Sequence, residues 1–86
     1  MIEFKRDYEF TNDHGIFEAD AKTYGQDNGY GNGTSLEIRI HREGYGYIEP
    51  ILLDIRYTGI WTADEVDQLV RETLEERWGA SAITER

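Results

Sequence analysis

Thr62-Ala63-Asp64-Glu65-Val66-Asp67-Gln68-Leu69-Val70-Arg71-Glu72-Thr73-Leu74-Glu75-Glu76-Arg77-Trp78-Gly79 is the stretch that decides the fold. It opens on a capping box, in which Thr62 accepts from the Glu65 amide and the Glu65 carboxylate reaches back to Thr62. Trp61 and Val66 stand where a hydrophobic staple would close over that first turn. Val66, Leu69, Val70, Thr73 and Leu74 then recur at helical spacing, with Trp78 at the edge of the stripe, and Gly79 is placed to end the helix in the left-handed region. The pattern predicts one helix over about 63–78, with one apolar stripe to bury.

Upstream of it the period changes from helical to alternating. Ile2, Phe4, Tyr8 and Phe10 oppose Glu3, Lys5, Asp7 and Glu9, and Arg6 interrupts the apolar side, its head expected to reach the sheet rim over its own stem. Asn12-Asp13-His14-Gly15 supplies turn chemistry before Phe17, Ala19 and Ala21 alternate with Glu18, Asp20 and Lys22. Leu36, Ile38 and Ile40 against Glu37, Arg39 and His41 make a third strand. Tyr45, Tyr47, Ile51, Leu53, Ile55 and Tyr57 keep one parity through a fourth, where Pro50 marks an edge or a bulge. The expected fold is α+β: a four-stranded antiparallel β-meander with one C-terminal helix packed on one face, in the order ββββα. A single domain spans 1–79, and residues 80–86 are expected to form a frayed C-terminal tail.

The chain carries 18 acidic against 9 basic residues, a net charge of −9 over 86 residues, with no acidic run longer than two. Carboxylates interleaved in this way belong to a structured surface and not to a charged tail. Such a surface disfavours direct contact with nucleic acid or anionic lipid, which attract basic patches. With no cysteine there is neither a disulfide framework nor thiolate chemistry, as suits a reducing cytoplasm. The N-terminal residues lack a signal-peptide core, and the longest strictly apolar run, Ile51-Leu52-Leu53, falls far short of the ~20 residues that cross a bilayer. A soluble, cytoplasmic protein is expected.

On the predicted fold the open sheet face holds Glu3, Asp7, Glu9, Glu18, Asp20, Glu37 and Asp54 against Lys5, Lys22, Arg39 and Arg56, a mixture suited to cross-strand pairing. The helix is more one-sided. Asp64, Glu65 and Asp67 suit the first turns, where carboxylates favour the macrodipole and Asp67 can pair with Arg71 four residues on. Glu72, Glu75 and Glu76 have no such reason. They repel one another at i+3 and i+4 and lie near the negative end of the dipole, a local rule broken without local gain. Arg77 offsets them in part, although its place on the apolar stripe would let it bind the sheet instead.

Gly29-x-Gly31-x-Gly33 suggests a phosphate loop only out of context, because a strand and not a helix follows. Asp27, Asn28 and Asn32 lack the spacing of a calcium loop, and His14 and His41 have no partner motif for zinc. No metal or cofactor is expected. The Tyr-Gly pairs at Tyr24, Tyr30 and Tyr45 combine contact area with loop adaptability, a pairing common in binding loops. Nothing suggests a pocket that would tune a catalytic acid, so the expectation is not an enzyme but a protein that binds another protein. The candidate contact residues are Asp64, Asp67, Glu72, Glu75 and Glu76, with Tyr30 and Tyr45.

In size, acidity and absence of catalytic motif the chain resembles small phage-encoded inhibitors of the anti-CRISPR and anti-restriction type, and equally the acidic immunity proteins that block nuclease toxins. The resemblance implies a stoichiometric inhibitor with a negatively charged, nucleic-acid-mimicking surface, whose partner is a CRISPR effector or nuclease with a basic nucleic-acid-binding surface. A different class of function, a structural module that self-associates through a sheet edge, is the alternative.

Overall fold

The computed structural model describes residues 3–24, 35–55 and 62–86. Its elements run β1 (Lys5–Asn12), β2 (Gly15–Tyr24), β3 (Ser35–His41), β4 (Ile51–Asp54), α1 (Ala63–Trp78) and β5 (Ala82–Glu85). The architecture is α+β, with one antiparallel sheet in the order β4-β3-β2-β1-β5. The first four strands form the expected meander.

The alternation sorts the faces as their residues dictate. Phe4, Tyr8 and Phe10 of the β1 segment, Phe17, Ala19 and Ala21 of β2, and Leu36, Ile38 and Ile40 of β3 are all buried in one cluster. Val66, Val70 and Leu74 of α1 close that cluster from above. Each is fully buried, so each contributes about 1.5–3 kcal/mol of apolar transfer before entropy is counted. Thr73 also turns inward, and its hydroxyl donates to the Leu69 carbonyl at 2.7 Å.

Both ends of α1 are built as their residues predict. Thr62 Oγ1 accepts from the Glu65 amide at 3.2 Å, and the Glu65 carboxylate accepts from the Thr62 amide at 3.1 Å. Gly79 adopts φ 61°, and its amide and that of Ala80 donate to the carbonyls of Glu75 and Leu74. The left-handed turn is strained for any residue with a Cβ, which is why glycine stands there. Trp61 lies outside the described residues, so the staple does too.

Two expectations are corrected. The sheet has five strands, not four, because residues 82–85 are no frayed tail but pair with β1, Tyr8 opposite Glu85 and Thr11 opposite Ala82. Ile83 packs against the core and Ala80 is itself buried. The physical reason is the turn at Gly79, which returns the chain along the edge of β1, whose backbone groups β5 satisfies. The fourth strand is also shorter than its parity suggests, since Arg42–Pro50 is irregular and ordered pairing begins only at Ile51. Pro50 cannot donate to a ladder, and Gly44 sits at φ 85°, so pairing stops where those residues stand. β4 is an edge strand, as Pro50 suggests.

Candidate functional site

Asp64, Glu65, Gln68, Glu72, Glu75 and Glu76 are all exposed on the outer side of α1. Glu65 belongs to the capping box, and Glu72 accepts from the Gln68 amide at 3.0 Å. Among the described residues Asp64, Glu72, Glu75 and Glu76 have no cation within ion-pairing distance. Arg77 is exposed rather than tied to the sheet.

Asp67, also expected on the partner-binding surface, is placed differently. Its side chain is only 18% exposed and accepts from three donors: Tyr8 Oη at 2.7 Å, Arg71 Nε at 2.8 Å and Arg6 Nη1 at 3.3 Å. Arg71 also donates to the Ile83 carbonyl at 3.0 Å, and Arg6 reaches Glu85 at 3.2 Å. This cluster locks α1 to β1 and β5. Burial alone would raise the Asp67 pKa, but the hydrogen bonds from Tyr8, Arg71 and Arg6, with the charge of Arg71, outweigh it and hold the carboxyl below the usual range. Burial first, and the bond to Asp67 second, push the Tyr8 hydroxyl up. The signal for this cluster lay in β1. A buried tyrosine needs a hydrogen-bond partner, and Arg6 on the apolar side needs a carboxylate, so an acid from the helix was implied.

Because Arg71 is spent on Asp67 and the β5 backbone, it leaves the outer surface of α1 without its central cation. Asp67 turns inward with it, so the outer surface keeps the acidic excess that the sequence suggests, carried by Asp64, Glu65, Glu72, Glu75 and Glu76.

Tyr30 lies outside the described residues. Tyr45 is half exposed, its ring edge-on to Phe17 at 5.3 Å, while the Arg42 guanidinium lies over both rings. Arg42 also donates to the His14 carbonyl in the β1–β2 turn. Phe17 meets Trp78 at 5.4 Å on its other side, and Asn12 donates to the Trp78 carbonyl at 2.8 Å. Tyr45 therefore closes the end of the core where α1 finishes. Beyond it, the β3–β4 connection encloses an open groove of about 800 Å³ whose walls include Ile16, His41, Tyr45, Tyr47 and Pro50. Tyr47 is 89% exposed and Ile16 60%.

The register of the open sheet face was not legible in alternation alone. Asp7 stands opposite Asp20, and Glu9 opposite Glu18, so two like-charge pairs sit side by side on β1 and β2. Directly opposed like charges are destabilising. Basic side chains flank them: the His41 imidazole meets Asp20 at 2.7 Å, Arg86 meets Glu18 at 2.6 Å, and Arg39 meets Glu37 at 2.6 Å. These carboxylate contacts, with Glu9 and Asp7 also near Arg86, hold the Arg86 and Arg39 guanidiniums firmly protonated. Asp7 and Glu9 have no cation within ion-pairing distance among the described residues.

No group of three or more His, Asp or Glu among the described residues is arranged to hold a metal ion. No helix among them is long and apolar enough to cross a membrane. Comparison with protein-family models, with curated proteins and with solved structures finds no match to this chain.

Proposed function

We propose that this chain is a stoichiometric protein inhibitor that offers the outer surface of α1 to the basic, nucleic-acid-binding surface of another protein, a CRISPR effector or a nuclease. The observation that carries this reading is the exposed series Asp64, Glu72, Glu75 and Glu76, left without cation partners among the described residues while Arg71 turns inward. From Asp64 to Glu76 the helix rises about 18 Å. A strand of B-DNA presents about five phosphates over that length, so a groove shaped for a phosphate backbone meets a comparable row of anions. Such charge steers association and competes with nucleic acid, which carries the same sign.

An immunity protein for a nuclease toxin would use the same surface, and the partner's identity separates the two. Self-association through a sheet edge has less support, because β4 and β5, the two edge strands, are each only four residues long. The reading is tested by capturing a partner from host lysate on the immobilised chain, eluting with a salt gradient and identifying the bound protein. The triple variant E72K/E75K/E76K is expected to lose that partner while melting at the wild-type temperature. Retention of the partner by the folded triple variant would overturn the reading, as would an affinity indifferent to ionic strength.

A further inference from the structure

On the side of the sheet away from α1, two hollows join. The aromatic groove of the β3–β4 connection and a smaller polar hollow over β1 and β2 share Glu18 and His41 in their walls. At one end stand Tyr47 and Ile16, large, apolar and more than half exposed. At the other stand Asp7, Glu18 and Asp20, with Glu9 beside them on β1. The basic side chains in the two hollows already have partners. Arg39 is held by Glu37, His41 by Asp20, Arg86 by Glu18, and Arg42 by the His14 carbonyl and the rings of Phe17 and Tyr45. Asp7 and Glu9 are not matched in this way, and the sheet holds each directly opposite a second carboxylate.

We infer that this trough is a docking site for an extended protein segment that seats an apolar side chain between Ile16, Tyr45 and Tyr47 and sets a lysine or arginine over the Asp7, Glu9, Glu18 and Asp20 carboxylates. Charge complementarity selects the occupant. Four carboxylates there share only Arg86 and His41 among the described residues, so a further cation is favoured, whereas a second copy of this chain would bring more acid to an acidic surface. The apolar end supplies what exposed ion pairs do not, a desolvated anchor of the kind that dominates binding energy. Strand spacing sets the distance. From β3 to β1 is about 10 Å across the sheet, and an extended segment advances about 3.3 Å per residue, so anchor and cation stand three or four residues apart. This surface lies opposite α1 and does not rest on the function proposed for it.

The test is selection from a displayed random peptide library on the full folded chain, followed by titration of a synthetic consensus peptide. Enriched sequences are expected to share an apolar residue and a lysine or arginine three or four positions apart, in one fixed order. The peptide should shift the amide resonances of Glu18, His41, Gly46 and Tyr47. Tyr47→Ala is expected to weaken it about tenfold. The double variant D7N/E9Q is expected to weaken it about three- to fivefold while melting no lower than wild type, an outcome a purely structural role for these acids would not produce. An acidic consensus, no enrichment, shifts confined to α1, or equal binding to the Tyr47 and D7N/E9Q variants would overturn the inference. So would concentration-dependent shifts of the same amides without peptide, accompanied by a dimer in light scattering, since the occupant would then be a second copy.

Discussion

The inner and outer sides of α1 both carry acid, yet they treat it in opposite ways. Asp67 faces the sheet and is held by Tyr8, Arg6 and Arg71, so its charge is consumed in fastening the helix to β1 and β5. Glu72, Glu75 and Glu76 face outward, have no ion pair among the described residues, and crowd one another. One helix therefore separates carboxylates that hold the molecule together from carboxylates that the fold does not need. Net charge alone does not distinguish them; geometry does.

The largest way to break this contrast is to remove what the inner side is fastened to. Deleting residues 82–86 strips β1 of its edge partner and Ile83 of its packing, and is expected to cost on the order of 3 kcal/mol in urea denaturation. An unchanged midpoint would mean that β5 adds nothing to the fold. Next, Asp67→Ala leaves Tyr8 without its acceptor and two arginines without their shared carboxylate, an expected loss of about 2 kcal/mol. Glu75→Ala should stay within about 0.5 kcal/mol of wild type, and equal losses for the two would erase the distinction.

Acid gives a smaller effect with a definite sign. The Asp67 carboxyl is depressed in the folded state, so the stability it adds is present above its ordinary pKa of about 4 and is lost as the pH falls through the lower folded value. Urea midpoints measured at pH 7, 5 and 3 should therefore fall less steeply for Asp67→Asn than for wild type. Parallel curves would deny Asp67 its role as the hub. The smallest effect runs the other way: E72Q/E75Q/E76Q removes repulsion that no partner relieves and should raise stability by about 0.5 kcal/mol. A fall in stability would show that the outer acids have structural work.

What could be read from the residues follows from how locally each feature is encoded. The capping box and Gly79 set both helix ends through contacts within a single turn, and alternation sorts Phe4, Tyr8, Phe10, Phe17, Leu36 and Ile38 to one face because the strand period is strict. β5 has one inward apolar residue, Ile83, and is specified by the vacant edge of β1, which leaves no mark on its own four residues. The pairing of Asp7 with Asp20 needed the register, which the hairpin at Asn12–Gly15 sets, and alternation is silent on it. Asp67 looked like any surface acid beside Arg71, since its decisive partner, Tyr8, is 59 residues away. Local rules reported local structure faithfully and missed what long-range contacts decide.

That separation in sequence also bears on time. Thr11 and Ser81 touch at a sequence separation of 70, whereas the β1–β2 hairpin closes through a two-residue turn braced by Asn12 and by Gly15 at φ 119°. Loop-closure entropy makes the hairpin an early event and the docking of β5 a late one. The same order should hold in reverse under native conditions. The amides of β5 would exchange with solvent through small local openings, while those of Ala19 and Ile38 in the middle of the sheet wait for global unfolding.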